Sequence, residues 1–301
     1  MQAVWLHRRM SAMEFGAHLP LIDFGTRPTL RGLKDYARAA ADLGFSYLSA
    51  NDHLLFRRPW LDGPTGLAAV LEESRDLRLA TTISLPVLRG PVQLAKTLTA
   101  IDILSGGRFV AGLGPGSSEA DYDAVGIPFD ERRTRFDEAL TRFRELLTGD
   151  VLQPPPVQQP LPIWVASWGS RGGLRLVARH GDGWLASAYN TTPERFERDL
   201  KLVLEDVRDP TSFANAVATA WMYVTESPTD ADRMLADVLA PTVNRPVEAL
   251  RDLSLPIGPA EVCAERLGAF ARAGAERVFV WPLADPIGQL QLFRERVAPL
   301  V

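Results

Sequence analysis

ATTISLPVLRGPVQLAKTLTAIDILSGGRFVAGLGPG, residues 80–116, decides how the rest of the chain is read. The run at 78–84 is short, apolar and rich in Thr and Ile, as a buried strand should be. Pro86, Gly90 and Pro91 punctuate the loop after it, and Pro91 suits a first helical turn, where its missing N–H costs nothing. Leu94, Leu98, Ile101 and Leu104 then recur at helical spacing until Gly106 and Gly107 stop the run. Residues 109–113 form a second apolar strand. Two such strands joined by a helix imply a parallel pair. Gly114, Pro115 and Gly116 open the loop at the second strand's carboxyl end, where α/β proteins bind ligands.

The same alternation repeats along the chain. Phe15, Tyr47, Leu79, Phe109, Ile163, Trp184, Val217 and Val278 mark eight candidate strands, each followed by helical sequence. Eight units in 301 residues fit one (β/α)8 TIM barrel, an α/β fold that typically needs about 250 residues. An open doubly wound sheet is the alternative, but even alternation and length favour closure. Residues 226–257, broken by Pro241, Pro246 and Pro256, read as an insertion covering the carboxyl-end face. The expected organisation is a flexible extension over 1–13, followed by a single barrel domain over 14–301. The opening MQAVWLHRRMSAM has two arginines but no apolar core of signal-peptide length, and suggests an upstream start codon or a frayed tail. His7 is discounted on that ground.

Composition narrows the partners. Hydrophobic residues make up 46% and charged residues 23%, a soluble globular balance. The formal charge of −4 with no basic run argues against nucleic acid. No apolar segment approaches the roughly 20 residues of a membrane helix, so no membrane partner is expected and the cytoplasm is the default compartment. Cys263 stands alone, which excludes an internal disulfide and a cysteine metal cluster, and it is read as a packed or surface thiol. Four scattered histidines give no metal constellation.

Ala95-Lys96, Ile101-Asp102, the run 104–109 and Gly112-Leu113-Gly114-Pro115-Gly116 resemble the signature of the bacterial-luciferase-like superfamily, and the resemblance extends over nearly the whole chain from Glu14. That superfamily contains flavin-dependent monooxygenases and oxidoreductases using the deazaflavin coenzyme F420. Asp52-His53, at the end of the second strand, is similar to the F420-dependent branch. The resemblance implies that His53 lies beside the ring as an acid/base or electrostatic group, a task suited to its near-neutral pKa. Asp52 either orients the imidazole or caps the next turn. The resemblance further implies a non-prolyl cis peptide behind the ring, which by register falls at Thr82–Ile83. It also implies a cofactor phosphate on the turn 167–173, with Trp168, Gly169 and Ser170 supplying donors. Taken alone, that turn is a small-residue loop opening a helix, whose free N–H groups and dipole attract an anion.

Several residues keep two readings. His18 ends the first strand and either meets a backbone carbonyl or faces the cofactor and substrate. Trp60, Trp221 and Trp281 are candidate pocket walls or packed aromatics. Arg89 reaches the cofactor's acidic tail or is an ordinary solvated arginine. The arginines at 132, 133 and 135 are assigned to a solvated helix face, and His180 to carbonyl capping. Some sugar-oxidising relatives place a glutamate directly after the glycine pair, where this chain has Ser117, so a sugar phosphate is disfavoured. The expected protein is an oxidoreductase passing hydride between F420 and a small organic substrate. The alternatives are a flavin mononucleotide (FMN) monooxygenase fed by a separate reductase, and a non-catalytic flavin-binding protein. A flavin or F420 reductase is a conceivable partner, and a homodimer is the expected assembly.

Overall fold

A computed structural model describes residues 12–301. The expectations for the first eleven residues, including His7 and most of the 1–13 extension, lie outside the described residues. Eight parallel strands close into a barrel: β1 Glu14–His18, β2 Tyr47–Ala50, β3 Arg78–Thr81, β4 Phe109–Leu113, β5 Ile163–Ala166, β6 Gly183–Ser187, β7 Ala214–Val224 and β8 Arg277–Pro282. Each pairs with its successor, and β8 returns to β1 through Phe15↔Val278 and Ala17↔Val280. The fold anticipated from the alternation is therefore the fold observed. A two-residue strand at Ile257–Gly258 adds to the outer end of β7 and takes no part in closure.

The barrel helices are α1 Leu30–Asp42, α2 Gly63–Ala68, α3 Pro91–Leu104, α4 Arg132–Thr148, α5 Arg171–His180, α6 Pro193–Asp206, α7 Ala260–Arg272 and α8 Pro286–Leu292. Their starts follow local chemistry. Thr29, Asp62, Ser170, Thr192 and Asp285 each accept a first-turn N–H through the side chain. Pro91 and Pro193 occupy first-turn positions, as their fixed φ suits. α2 ends at Ala68, and turns fill most of the residues up to β3. Two boundaries differ from expectation. β3 stops at Thr81, and the Thr82–Ile83 peptide bond just beyond it is cis. The loop before α3 contains a four-residue helix, Pro86–Arg89.

Large side chains fill the amino-terminal half of the barrel. Tyr47 packs against Trp164 and Phe279, with the guanidiniums of Arg78 and Arg277 over its ring. Gly16 faces that layer, and a Cβ there would overlap the Phe279 ring. Residues 228–243 form one helical run whose middle, Met234–Leu239, is π-helical, and a short helix, Val247–Arg251, follows. They are tied down at two points. Arg58 donates to Thr242 Oγ1 at 2.8 Å, and Arg245 reaches the Tyr189 carbonyl and the Asn190 amide oxygen.

Candidate active site

The carboxyl ends of the strands open into two adjoining chambers. The larger, about 670 Å³, is lined by His53, Thr82, Ile83, Arg132, Trp168 and Ser170 among others. The smaller, about 540 Å³, is walled by Phe56, Trp60, Trp221 and Trp281. Asn51, His53, Ser117, Tyr189 and Thr219 belong to both. His53 is thus at the junction of the two chambers.

Asp121, not Asp52, meets the imidazole. His53 Nδ1 lies 2.9 Å from Asp121 Oδ2, and the Leu55 N–H donates to Asp121 Oδ1 at 2.6 Å. Asp121 is only 2% exposed, so both of its oxygens are held away from water. An ionised carboxylate only accepts, so this contact puts the proton on Nδ1 and leaves Nε2 as the exchangeable position. The Phe56 and Trp60 rings lie 4.4 and 4.7 Å from the imidazole and limit its rotation.

Asp52 serves another purpose. Its carboxylate accepts two hydrogen bonds at 2.6 Å from Arg89, which also pairs with Asp62. Burial works against charge on Asp52, while the bidentate guanidinium favours it. Arg89 is deprotonation-resistant well beyond its usual range: burial opposes its charge, but the two carboxylates outweigh burial. Both sequence readings of Arg89 are corrected, since it is neither solvated nor free for an acidic tail. Both readings of Asp52 fall with them.

The cis bond lies on the wall of the larger chamber. Asn51 Oδ1 accepts from the Ile83 N–H at 2.6 Å, and the Ala50 carbonyl from the Thr82 N–H at 2.7 Å. The glycines beside it provide clearance. A Cβ on Gly112 would overlap the Thr81 carbonyl, and one on Gly114 the tip of Ile83. Gly116, at φ +78°, turns the loop away. Across the chamber, Gly169 N–H already donates to Ser167 Oγ, and Ser170 Oγ accepts from Gly173. The donors that α5 offers are therefore the first-turn N–H groups of Arg171 and Gly172, which have no preceding helical carbonyl. Arg132 and Arg133 line the same wall. For Arg132 that corrects the assignment to a solvated face: α4 starts against the mouth, and the half-buried Arg132 packs 3.8 Å from the Phe129 ring, whereas Arg133 and Arg135 are exposed as expected.

Of the two readings of His18, the pocket-facing one is corrected and the buried, backbone-bonded one holds. It is 3% exposed, stacks on Trp281 at 3.5 Å between centroids, and lines neither chamber. Desolvation lowers its pKa to about 3, against a smaller raising effect of the Leu19 backbone. His180 bonds to a carboxylate, Asp137, at 2.7 Å rather than capping carbonyls. Cys263 is buried, as expected of a packed thiol, and burial pushes its pKa up to about 12. No group of His, Cys, Asp and Glu among the described residues is arranged to hold a metal ion.

Sequence reasoning missed Asn51, Asp121 and Thr219. Asn51 was visible as the neighbour of Asp52-His53. Nothing local links Asp121 to position 53, because the contact crosses 68 residues. Thr219 has φ +55° at a break in the β7–β8 register, a conformation unfavourable for a β-branched residue. Its hydroxyl meets Ser187 Oγ at 2.7 Å where the chambers join.

The fold and site define a (β/α)8 barrel with a two-chambered ligand cavity at its carboxyl-end mouth. The sequence pattern of the luciferase-like monooxygenases matches residues 13–277, and the chain belongs to that family. It is 27% identical over 305 residues to the F420-dependent hydroxymycolic acid dehydrogenase of Mycobacterium tuberculosis, covering 88% of this chain and 82% of that one. Uncharacterized mycobacterial proteins match at 32% identity over 164 residues, so this chain spans about half the length (55%) of those curated relatives. An F420-dependent secondary alcohol dehydrogenase in complex with an F420-acetone adduct superposes with a TM-score of 0.82 at 17% identity, over 96% of this chain and 99% of that one. The oxygenating constituent of 3,6-diketocamphane monooxygenase from Pseudomonas putida, in complex with FMN, gives 0.73 at 17%, over 96% and 99%. At those identities the likeness shows the shared barrel. Among the described residues no helix is long and apolar enough to cross a membrane.

Proposed function

We propose that this protein is an oxidoreductase that uses F420 to move a hydride to or from a small organic carbonyl or alcohol. The observation that carries the reading is the His53–Asp121 pair, set at the junction of the two chambers with Thr82–Ile83 on the larger one. The dehydrogenase relatives named for F420 support it. The residues present suit such a cofactor. The larger chamber offers a flat wall at Thr82 and Ile83 for a ring. Its far side offers the α5 amino terminus, Arg132 and Arg133 for a phosphate and carboxylates. When bound, the deazaflavin supplies a two-electron hydride donor or acceptor.

The chain's own residues do the rest. In the reducing direction the substrate carbonyl carbon gains the hydride and its oxygen gains a proton; oxidation reverses both transfers. His53 Nε2 holds or takes that proton, and Asp121 fixes the tautomer and stabilises the imidazolium. The aromatic walls of the smaller chamber exclude water beside it. Binding titrations of the purified protein with F420 and with FMN test the reading. Saturable F420 binding with substrate-dependent redox change supports it, and no F420 binding in either oxidation state overturns it.

A second reading is an FMN monooxygenase supplied by a separate reductase, favoured by the FMN-containing barrel. It requires product formation that depends on molecular oxygen and reduced FMN.

A further inference from the structure

Among the described residues, five line both chambers: Asn51, His53, Ser117, Tyr189 and Thr219. Tyr189 and Thr219 are both tied to one residue that lines neither chamber, the half-buried Arg245 of the insertion. Its guanidinium donates to the Tyr189 carbonyl and lies 4.9 Å from the centre of the Tyr189 ring. It also donates to Asn190 Oδ1, which fixes the orientation of that amide, because a guanidinium has no acceptor. Asn190 Nδ2 then donates to Ser187 Oγ at 2.9 Å, and Ser187 Oγ meets Thr219 Oγ1 at 2.7 Å. The Thr219 hydroxyl gives its one hydrogen to the Ala218 carbonyl at 2.7 Å, so Ser187 is the donor to Thr219. The hydrogen bonds therefore run in one direction, from Arg245 to the junction. They end on a strained backbone. Thr219 has φ +55°, where glycine or asparagine is the usual occupant. Between Val217 and Ala220, β7 has one residue more than β8 has between Val278 and Val280. A conformation of this kind persists only where its surroundings hold it. The β8 ladder is interrupted at that point, which leaves the pairing with β6 and the hydroxyl contact to Ser187 to hold it.

We infer that Arg245 is a positioning residue for the active site: it holds Tyr189 directly and Thr219 through Asn190 and Ser187, and so sets the edge shared by the two chambers for the cofactor that binds there. This rests on the reading of the mouth as the site of a flat redox cofactor. The insertion has a second tie, Arg58 to Thr242 Oγ1, which includes none of Tyr189, Asn190, Ser187 and Thr219. Comparing the two ties separates positioning of the junction from a general loosening of the insertion.

Hydrogen–deuterium exchange of the full chain without ligand, read by mass spectrometry, tests the hydrogen-bond series itself. Arg245→Gln should raise exchange at 187–190 and 218–221 as well as in the insertion, whereas Arg58→Ala should raise it in the insertion alone. Titrations with F420 and with FMN test the consequence. Arg245→Gln should weaken whichever cofactor binds more tightly by roughly three- to ten-fold and shift its visible absorption band, while Arg58→Ala changes that affinity by less than about two-fold. Arg245→Lys keeps a donor for one of the two acceptors and should fall between Arg245→Gln and the unsubstituted protein. Thr219→Val keeps the shape and removes the hydroxyl, so Arg245→Gln should cost less affinity on that background than it does alone. Unchanged exchange at 187–190 and 218–221 in Arg245→Gln, additive losses in the double variant, or an equal loss of affinity in Arg58→Ala would overturn the inference. If neither cofactor binds the unsubstituted protein, the proposed function falls, and the exchange comparison alone decides whether Arg245 holds the junction.

Discussion

At the residue scale the useful contrast is between two histidines. His53 touches both chambers and a buried carboxylate, while His18 is sealed beneath Trp281. If Asp121 sets the His53 tautomer, Asp121→Asn should lower kcat roughly 10–100-fold with little change in KM, since an amide no longer fixes the proton on Nδ1. A rise in KM with kcat unchanged would point to a binding role instead. His18 makes a different prediction. It stays neutral in the fold down to about pH 3 but takes up a proton near 6.5 once unfolded. Below 6.5 the unfolded state therefore binds more protons, and stability falls as pH falls. The contribution is complete above 6.5, and about 2 kcal/mol of it is lost by pH 5. Urea unfolding at pH 7 and pH 5 should show that loss, and His18→Leu should flatten the slope across this window.

At the scale of elements, the glycines and arginines of the mouth behave as fitted parts. Gly112→Ala sets a methyl group against the Thr81 backbone carbonyl, which cannot move without breaking the β3–β4 pairing, and should cost about 3 kcal/mol or more. Gly114→Ala meets the end of the Ile83 side chain, which can rotate, and comes within 3.2 Å of the Ala166 Cβ, so the expected cost is smaller than that of Gly112→Ala. Chemical denaturation of the pair decides between them. These elements also mark what a single sequence reveals. Strands and helices were legible because apolar spacing, Pro91, Thr192 and the Gly106-Gly107 stop are local signals. The glycine-rich loop was legible as the opening of the loop at the carboxyl end of β4. The partner of His53 was not, since Asp121 arrives from another βα unit. Arg89 and Asp52 were misread for the same reason: their contact spans 37 residues, and only the fold shows them neutralising one another. Residues 226–257 were legible as an insertion from their prolines, but the π-helical stretch Met234–Leu239 breaks the regular helical period there.

At the scale of the whole molecule, the barrel closes on strands buried from end to end, so its mouth is left as the place where a ligand can add stability. A ligand that binds only the folded chain stabilises it by mass action, about 2.7 kcal/mol at 100 times Kd. For a chain of this size that is a rise in Tm of roughly 4–8 °C. F420 and FMN both offer a phosphate to the α5 amino terminus, so both should give some shift. Only F420 adds further carboxylates, and the cations on that wall are Arg132 and Arg133. Unfolding curves at matched ligand concentration should therefore show the larger shift with F420. Replacing both arginines by alanine should bring the F420 shift down toward that of FMN while leaving the FMN shift nearly unchanged. An FMN shift that exceeds the F420 shift in the unsubstituted protein would favour the monooxygenase reading instead. It would mean that the two arginines serve the rim of the barrel rather than the acidic tail of a deazaflavin.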